Sequence, residues 1–153
     1  MSGTKFLYVI YIRTTPEKLW DALTKPELTR QYWAGTTQES AWTVGSPWTA
    51  FTPDGRTWDV GEILEADKPR RLVLSWRNEH FHEMRAEGFT RLTYELEPVQ
   101  GAVKPTLTHE IDLDNSKIIE ALGNGWPAVL SSLKSLLETG KSLEHTREWP
   151  KGL

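Results

Sequence analysis

Residues 116–140 read SKIIEALGNGWPAVLSSLKSLLETG, and the spacing of their apolar positions decides the fold. Ile118, Ile119, Leu122, Trp126, Val129, Leu130, Leu133, Leu136 and Leu137 recur at steps of three and four, which places one long apolar stripe along a helical rod. Thr139-Gly140-Lys141 ends the rod. Gly123, Asn124, Gly125 and Pro127 interrupt the stripe. They predict a kink, or a fresh start capped by Asn124 with Pro127 in the first turn.

The chain before the rod has a different period. From Thr36 to Leu113, short β-type runs are broken by turn residues at Val44-Gly45-Ser46-Pro47, Pro53-Asp54-Gly55, Asp67-Lys68-Pro69, Asn78 to Gly88 and Pro98 to Gly101. The predicted strands are Gln38–Thr43, Trp48–Thr52, Thr57–Ala66, Arg71–Arg77, Phe89–Glu97 and Thr106–Leu113. Lys5 to Arg13 adds a seventh. Connections this short require antiparallel neighbours, so the strands form a meander. The first strand is apolar on both faces, with Phe6, Tyr8, Ile10 and Ile12 on one and Leu7, Val9 and Tyr11 on the other. That pattern suggests a covered outer face, a second copy of the protein being one candidate cover.

Between the first strand and the meander, Thr15-Pro16-Glu17 starts a helix that buries Leu19, Trp20 and Leu23. Lys25-Pro26-Glu27 starts a second, with Leu28, Tyr32 and Trp33 inward and Gly35 at its end. The expected fold is α+β: a seven-stranded curved antiparallel sheet gripping the long C-terminal helix, with two short helices after the first strand. Where sheet and helix splay apart, a wedge opens that can hold a ligand.

Composition narrows the function. The 153 residues suit one domain, and the absence of cysteine excludes disulfides, thiolate metal sites and cysteine nucleophiles. The segment before Arg13 is too short for a signal peptide and no run is long enough to span a bilayer, so a cytoplasmic location without membrane insertion is expected. A net charge of −3 with interspersed signs offers no basic stripe for nucleic acid. Eight tryptophans are the compositional anomaly. They either pack a core or line a cavity for a flat, greasy ligand.

Few constellations could carry chemistry. His80-Phe81-His82, with Glu83 and Glu87, is the most metal-like cluster. Its polar setting reads as a solvated loop, so no metal is expected and His80 and His82 stand only as candidates. His109 shares strand parity with Leu107 and Ile111 and faces the interior. There it is a candidate acid or base, or a core histidine satisfied by its neighbours. Trp126 lies where Gly123 and Gly125 strip the helix of side chains, and it walls a pocket or packs at the kink. With Leu130 of the same helix, and with Trp33, Trp48, Phe51, Trp58 and Trp76 around the wedge, Trp126 and His109 make up the expected ligand-binding set. There is no phosphate loop, nucleophile elbow or H-E-x-x-H pair, so no cofactor is expected.

Thr15-Pro16-Glu17-Lys18-Leu19-Trp20-Asp21-Ala22-Leu23-Thr24-Lys25-Pro26-Glu27, followed by Tyr32-Trp33, resembles the opening signature of the START-like SRPBCC superfamily. It is similar in particular to proteins homologous to the activator of the ninety-kilodalton heat-shock protein ATPase. Gly61-Glu62-Ile63-Leu64-Glu65, Pro69-Arg70-Arg71-Leu72, Thr93-Tyr94-Glu95-Leu96-Glu97-Pro98 and Gly125-Trp126 extend the likeness over about residues 5 to 140. The resemblance implies a START-like helix-grip domain over residues 1–140; the weak periodicity of residues 141–153 reads as a tail, with Trp149 a candidate to dock back onto the domain. The resemblance also implies a hydrophobic cavity and three functional expectations. They are non-catalytic binding of a small hydrophobic or aromatic ligand, a chaperone-associated interaction role, and polyketide cyclase or dehydratase-like catalysis through His109.

Overall fold

Alternating side chains and closely spaced turns leave the sheet little choice but to meander. The computed structural model, which describes residues 3–153, holds one seven-stranded sheet in the order β1-β7-β6-β5-β4-β3-β2, every neighbouring pair antiparallel. The strands are β1 (Thr4–Val9), β2 (Thr37–Ser40), β3 (Pro47–Phe51), β4 (Thr57–Asp67), β5 (Arg71–Asn78), β6 (Thr90–Val99) and β7 (Ala102–Ile111). Helices α1 (Pro16–Thr24) and α2 (Pro26–Tyr32) follow β1, α3 (His82–Arg85) lies between β5 and β6, and α4 (Lys117–Thr139) ends the fold. A single 3₁₀ turn at Glu144–Thr146 follows.

The sheet curves because β4 cannot keep a regular ladder. Its register shifts between Ile63 and Glu65, and that of β3 shifts between Ala50 and Phe51. Such irregularities bend and twist a strand locally. At Gly61 the backbone of β5 comes so close that an added Cβ would lie 1.7 Å from the Ser75 carbonyl oxygen. Only glycine fits there. Leu72, Leu74 and Trp76, Leu92, Tyr94 and Leu96, and Val103 and Leu107 line the concave face and are buried. They pack against Ile118, Ile119, Trp126, Leu130 and Leu133 of α4, each such side chain contributing about 1.5–3 kcal/mol when fully buried.

The rod is held at both ends. Ser116 Oγ accepts from the Ile119 N–H at 3.2 Å. Glu87, from the loop before β6, adds a carboxylate that accepts from Ser116 Oγ (2.6 Å) and from the Lys117 N–H (2.7 Å). This negative charge sits at the positive end of the helix, where it is favourable. Gly140, in the left-handed region at φ 85°, closes the other end by donating to the Leu136 carbonyl at 2.9 Å.

Three expectations need correction. Of the two alternatives at Gly123–Pro127, the fresh start is overturned: the helix runs through as one element with Pro127 inside it. The absence of a side chain at Gly123 lets Phe6 of β1 pack against the backbone, 3.1 Å from where a Cβ would stand, so tertiary packing supports the helix at its weakest point. Residues 78–88 are not all loop, since α3 occupies His82–Arg85. β7 begins at Ala102 rather than Thr106, joined to β6 by a tight hairpin with Gly101 at φ 75°. Pro105 interrupts the ladder to the N-terminal strand without ending it: its carbonyl still accepts from the Ile10 N–H at 3.3 Å, and pairing resumes at the Ile12–Val103 bridge.

Candidate functional site: an aromatic cavity with one buried carboxyl group

Sheet and rod part company near the N-terminal half of α4, and a cavity of about 210 Å³ lies between them. Its floor comes from β4 and β5 through Asp59, Trp76 and Asn78, one wall from the end of α2 through Trp33, and its roof from Ile118 and Leu122 of α4. Phe81 and Met84 close one side, and Trp149 and Pro150 of the C-terminal segment close another. The segment is held in place by Ser132 Oγ, which is 2.6 Å from Thr146 Oγ1 and accepts from the Leu143 N–H at 2.9 Å. Trp149 meets Trp58 edge to face at 4.7 Å, and Trp58 stacks on His80 at 4.2 Å. Cavities of roughly 150 Å³ hold a benzene ring, so this one suits a single ring with a short substituent.

Asp59 is the polar centre of the cavity and is only 6% exposed. The β4–β5 register sets it opposite Asn78, whose Nδ2 donates to Asp59 Oδ1 at 3.0 Å and to the Trp58 carbonyl at 3.2 Å. Asn78 Oδ1 in turn accepts from the N–H groups of His80 (3.1 Å) and Phe81 (2.8 Å), so the amide is fixed from both ends. The Trp76 indole N–H faces the same carboxyl group closely enough to favour its ionised form. It lies outside hydrogen-bonding geometry and is left without a partner. Burial dominates, and with help from the charge of Glu79 it pushes the Asp59 carboxyl up to about 7, against the pull of Asn78 and Trp76.

The residues expected to form the site divide in two. Trp33, Trp58 and Trp76 line the cavity. Trp48, Trp126, His109 and Leu130 lie behind this lining, packed in the core, with Trp48 4.6 Å from Trp76 and Trp126 4.9 Å from Trp33. Phe51 is directed elsewhere, into a separate hollow with Arg30 and Pro53. Strand alternation accounts for this: Trp48 and Ala50 point inward, so Phe51, of opposite parity, faces away from the concave side. His109 is fully buried, accepting on Nδ1 from the Trp126 indole N–H (3.2 Å) and pairing through Nε2 with Thr90 Oγ1 (2.7 Å). With Nδ1 an acceptor, Nε2 carries the proton and donates to Thr90, whose hydroxyl donates to the Trp76 carbonyl at 2.9 Å. Burial holds this imidazole down at about 3, and neither ring nitrogen faces the cavity.

The metal-like cluster is dispersed. His80 stacks on Trp58, Glu83 pairs with Lys117 at 2.8 Å, and Glu87 caps α4. Among the described residues no group of three or more histidines and carboxylates could hold a metal ion. No described helix is long and apolar enough to cross a membrane. Asp59 and Asn78 were not in the expected set, although the shared parity of Asp59, Gly61 and Ile63 on β4 marks an inward carboxylate.

A curved antiparallel sheet wrapped around a terminal helix, with a ring-sized aromatic cavity where they diverge, defines a helix-grip protein. Residues 13–138 match the family model "Activator of Hsp90 ATPase homolog 1-like protein", and the chain belongs to that family. No curated protein matches significantly. Among solved structures, the chain is similar to the Aha1 dimer of Colwellia psychrerythraea, at 21% identity over 91% of this chain and 99% of that one, with a TM-score of 0.72. CalU16 of Micromonospora echinospora is 17% identical over 89% of this chain and 77% of its own, with a TM-score of 0.70. An HSP90 activator from Plasmodium falciparum is 23% identical over 80% and 86%, with a TM-score of 0.64. At these identities the likeness shows the shared fold.

Proposed function

We propose that the protein is a non-catalytic binder of a small aromatic molecule, held in the cavity between the sheet and α4. The observation that carries this reading is a cavity of about 210 Å³ walled by Trp33, Trp58, Trp76, Phe81 and Trp149. Tryptophan faces give large apolar contact with few rotatable bonds, which suits recognition of a flat ring. Tryptophan fluorescence and native mass spectrometry against a panel of single-ring compounds test it. Quenching with one bound equivalent supports the reading. Absence of binding across the panel at millimolar concentration removes it.

A second reading concerns the outer face of the edge strand β1, on which Leu7 and Val9 are 59% and 42% exposed, continued just beyond the strand by Tyr11 at 55%. We propose that a second copy covers this stripe, in keeping with the dimer in which the Colwellia relative was solved. Sedimentation of the protein and of a Leu7→Lys, Tyr11→Lys variant decides it. A monomer at all concentrations rules out the dimer. A chaperone partner, suggested by the Plasmodium relative, would be sought on the same stripe by binding to a purified ninety-kilodalton heat-shock protein.

A further inference from the structure

A carboxyl group buried in an aromatic pocket is costly unless a cation or several donors compensate it. Inside the protein, Asp59 has little compensation. Asn78 supplies one hydrogen bond to Oδ1, and the Trp76 indole N–H, which faces the carboxyl group, falls short of hydrogen-bonding geometry and stays unpartnered. No lysine, arginine or histidine lines the cavity. The nearby cations are engaged elsewhere: Arg77 and Arg85 pair with Glu79 at 2.6 and 3.5 Å, and Arg56 pairs with Asp54 at 3.1 Å while donating to the Leu153 carbonyl. Gln38 is also buried in the cavity wall, and its side-chain amide makes no hydrogen bond to a described residue. The pocket therefore presents a negative or hydrogen-bond-accepting centre surrounded by ring faces and lacks a positive group to match it.

Resting on the binding function proposed above, we propose that the ligand is a single-ring aromatic amine or amidine, its protonated end bonded to Asp59 and its ring stacked among Trp33, Trp58 and Trp76. The geometry supports each half of this assignment. Asn78 fixes the carboxyl group from one side and leaves Oδ2 for a donor. The indole faces add cation–π attraction for a charge placed among them. Gln38, buried in the same cavity lining, adds a second uncharged amide without adding a positive charge. The cavity volume leaves room for one ring and an arm of about two carbons.

The test compares 2-phenylethylamine, 2-phenylethanol and 3-phenylpropionate by calorimetry at pH 8, on the full chain and on Asp59→Asn. The three probes share a ring and differ chiefly in the charge of the polar end. The amine is expected to bind at least tenfold more tightly than the alcohol, the carboxylate not measurably, and Asp59→Asn is expected to erase the amine's advantage over the alcohol. Equal affinity for amine and alcohol in the native chain overturns the assignment, and this comparison needs no variant to fold. A preference for the amine that survives Asp59→Asn overturns the role of Asp59. If none of the three probes binds, the ring-binding function itself fails and this inference falls with it.

Discussion

Replacing Asp59 by Asn keeps the side-chain volume and the amide-compatible bond to Asn78 but removes the charge. Its effect on stability follows from the raised carboxyl pKa. In the unfolded chain the group titrates at 3.8, and in the folded protein at about 7. Below pH 4 both states are protonated and the group contributes nothing. Between pH 4 and pH 7 the unfolded chain releases its proton while the folded protein keeps it, so stability falls as pH rises. Above pH 7 the penalty levels off at about 4 kcal/mol, three units at 1.36 kcal/mol each. Between pH 5 and pH 8 the loss amounts to about 2–3 kcal/mol. The native protein alone does not reveal it, because His109 works in the opposite direction. Its imidazole is depressed from 6.5 to about 3. Only the unfolded chain gains a proton as pH falls below 6.5, so stability rises by roughly 2 kcal/mol from pH 5 to pH 8. Urea unfolding of native protein and Asp59→Asn at both pH values isolates Asp59, since His109 and the surface carboxylates cancel. The variant's advantage should be about 2–3 kcal/mol larger at pH 8 than at pH 5. An advantage that is the same at both values refutes the burial of an uncompensated carboxyl group.

Thr90→Val removes the acceptor of the His109 Nε2–H and the donor to the Trp76 carbonyl; it should cost about 1–3 kcal/mol in urea unfolding and leave ring binding intact. Glu87→Ala strips α4 of its long-range cap and should cost about 1–2 kcal/mol, with faster amide exchange confined to the first turn of the helix. A melting temperature equal to that of the native chain would show the cap to be idle. Gly61→Ala should be the most damaging of the three, by about 3 kcal/mol or more, because β4 and β5 must separate to admit the methyl group.

The strands and the rod were legible because each obeys a single period. Residues such as Leu72, Leu74 and Trp76 alternate, and Leu122, Trp126, Leu130 and Leu133 keep helical spacing. What local pattern cannot supply is the support that distant residues give. Phe6 packs on Gly123 and steadies a helix that contains Pro127, and Glu87 reaches the start of that helix from thirty residues upstream. The site was legible only in part for the same reason. Trp33 and Trp76 were within reach of helix ends and strand parity, and parity with Trp48 and Ala50 already sets Phe51 outward, but the fold-back of residues 143–150 that brings Trp149 into the wall depends on Ser132 meeting Thr146 and Leu143 across the chain.

His109 and Asp59 show why parity alone does not find a site. Both point inward from a strand, both are buried, and Trp76 lies beside each of them. Their surroundings separate them. Every polar atom of the imidazole is paired, in a chain from Trp126 through Thr90 to the backbone of Trp76, so the protein already supplies all that the histidine requires. The carboxyl group of Asp59 is half served, and the unserved half borders empty space. A satisfied network fixes the position of the core, whereas an unsatisfied charge beside a cavity requires something to enter. Relatives at 17–23% identity share the grip of sheet on helix, which depends on the pattern of apolar faces and tolerates many residues at each position. Under the binding function proposed here, the chemistry of the ligand follows instead from Asp59 at the inward end of β4, a single side chain on which the fold does not depend.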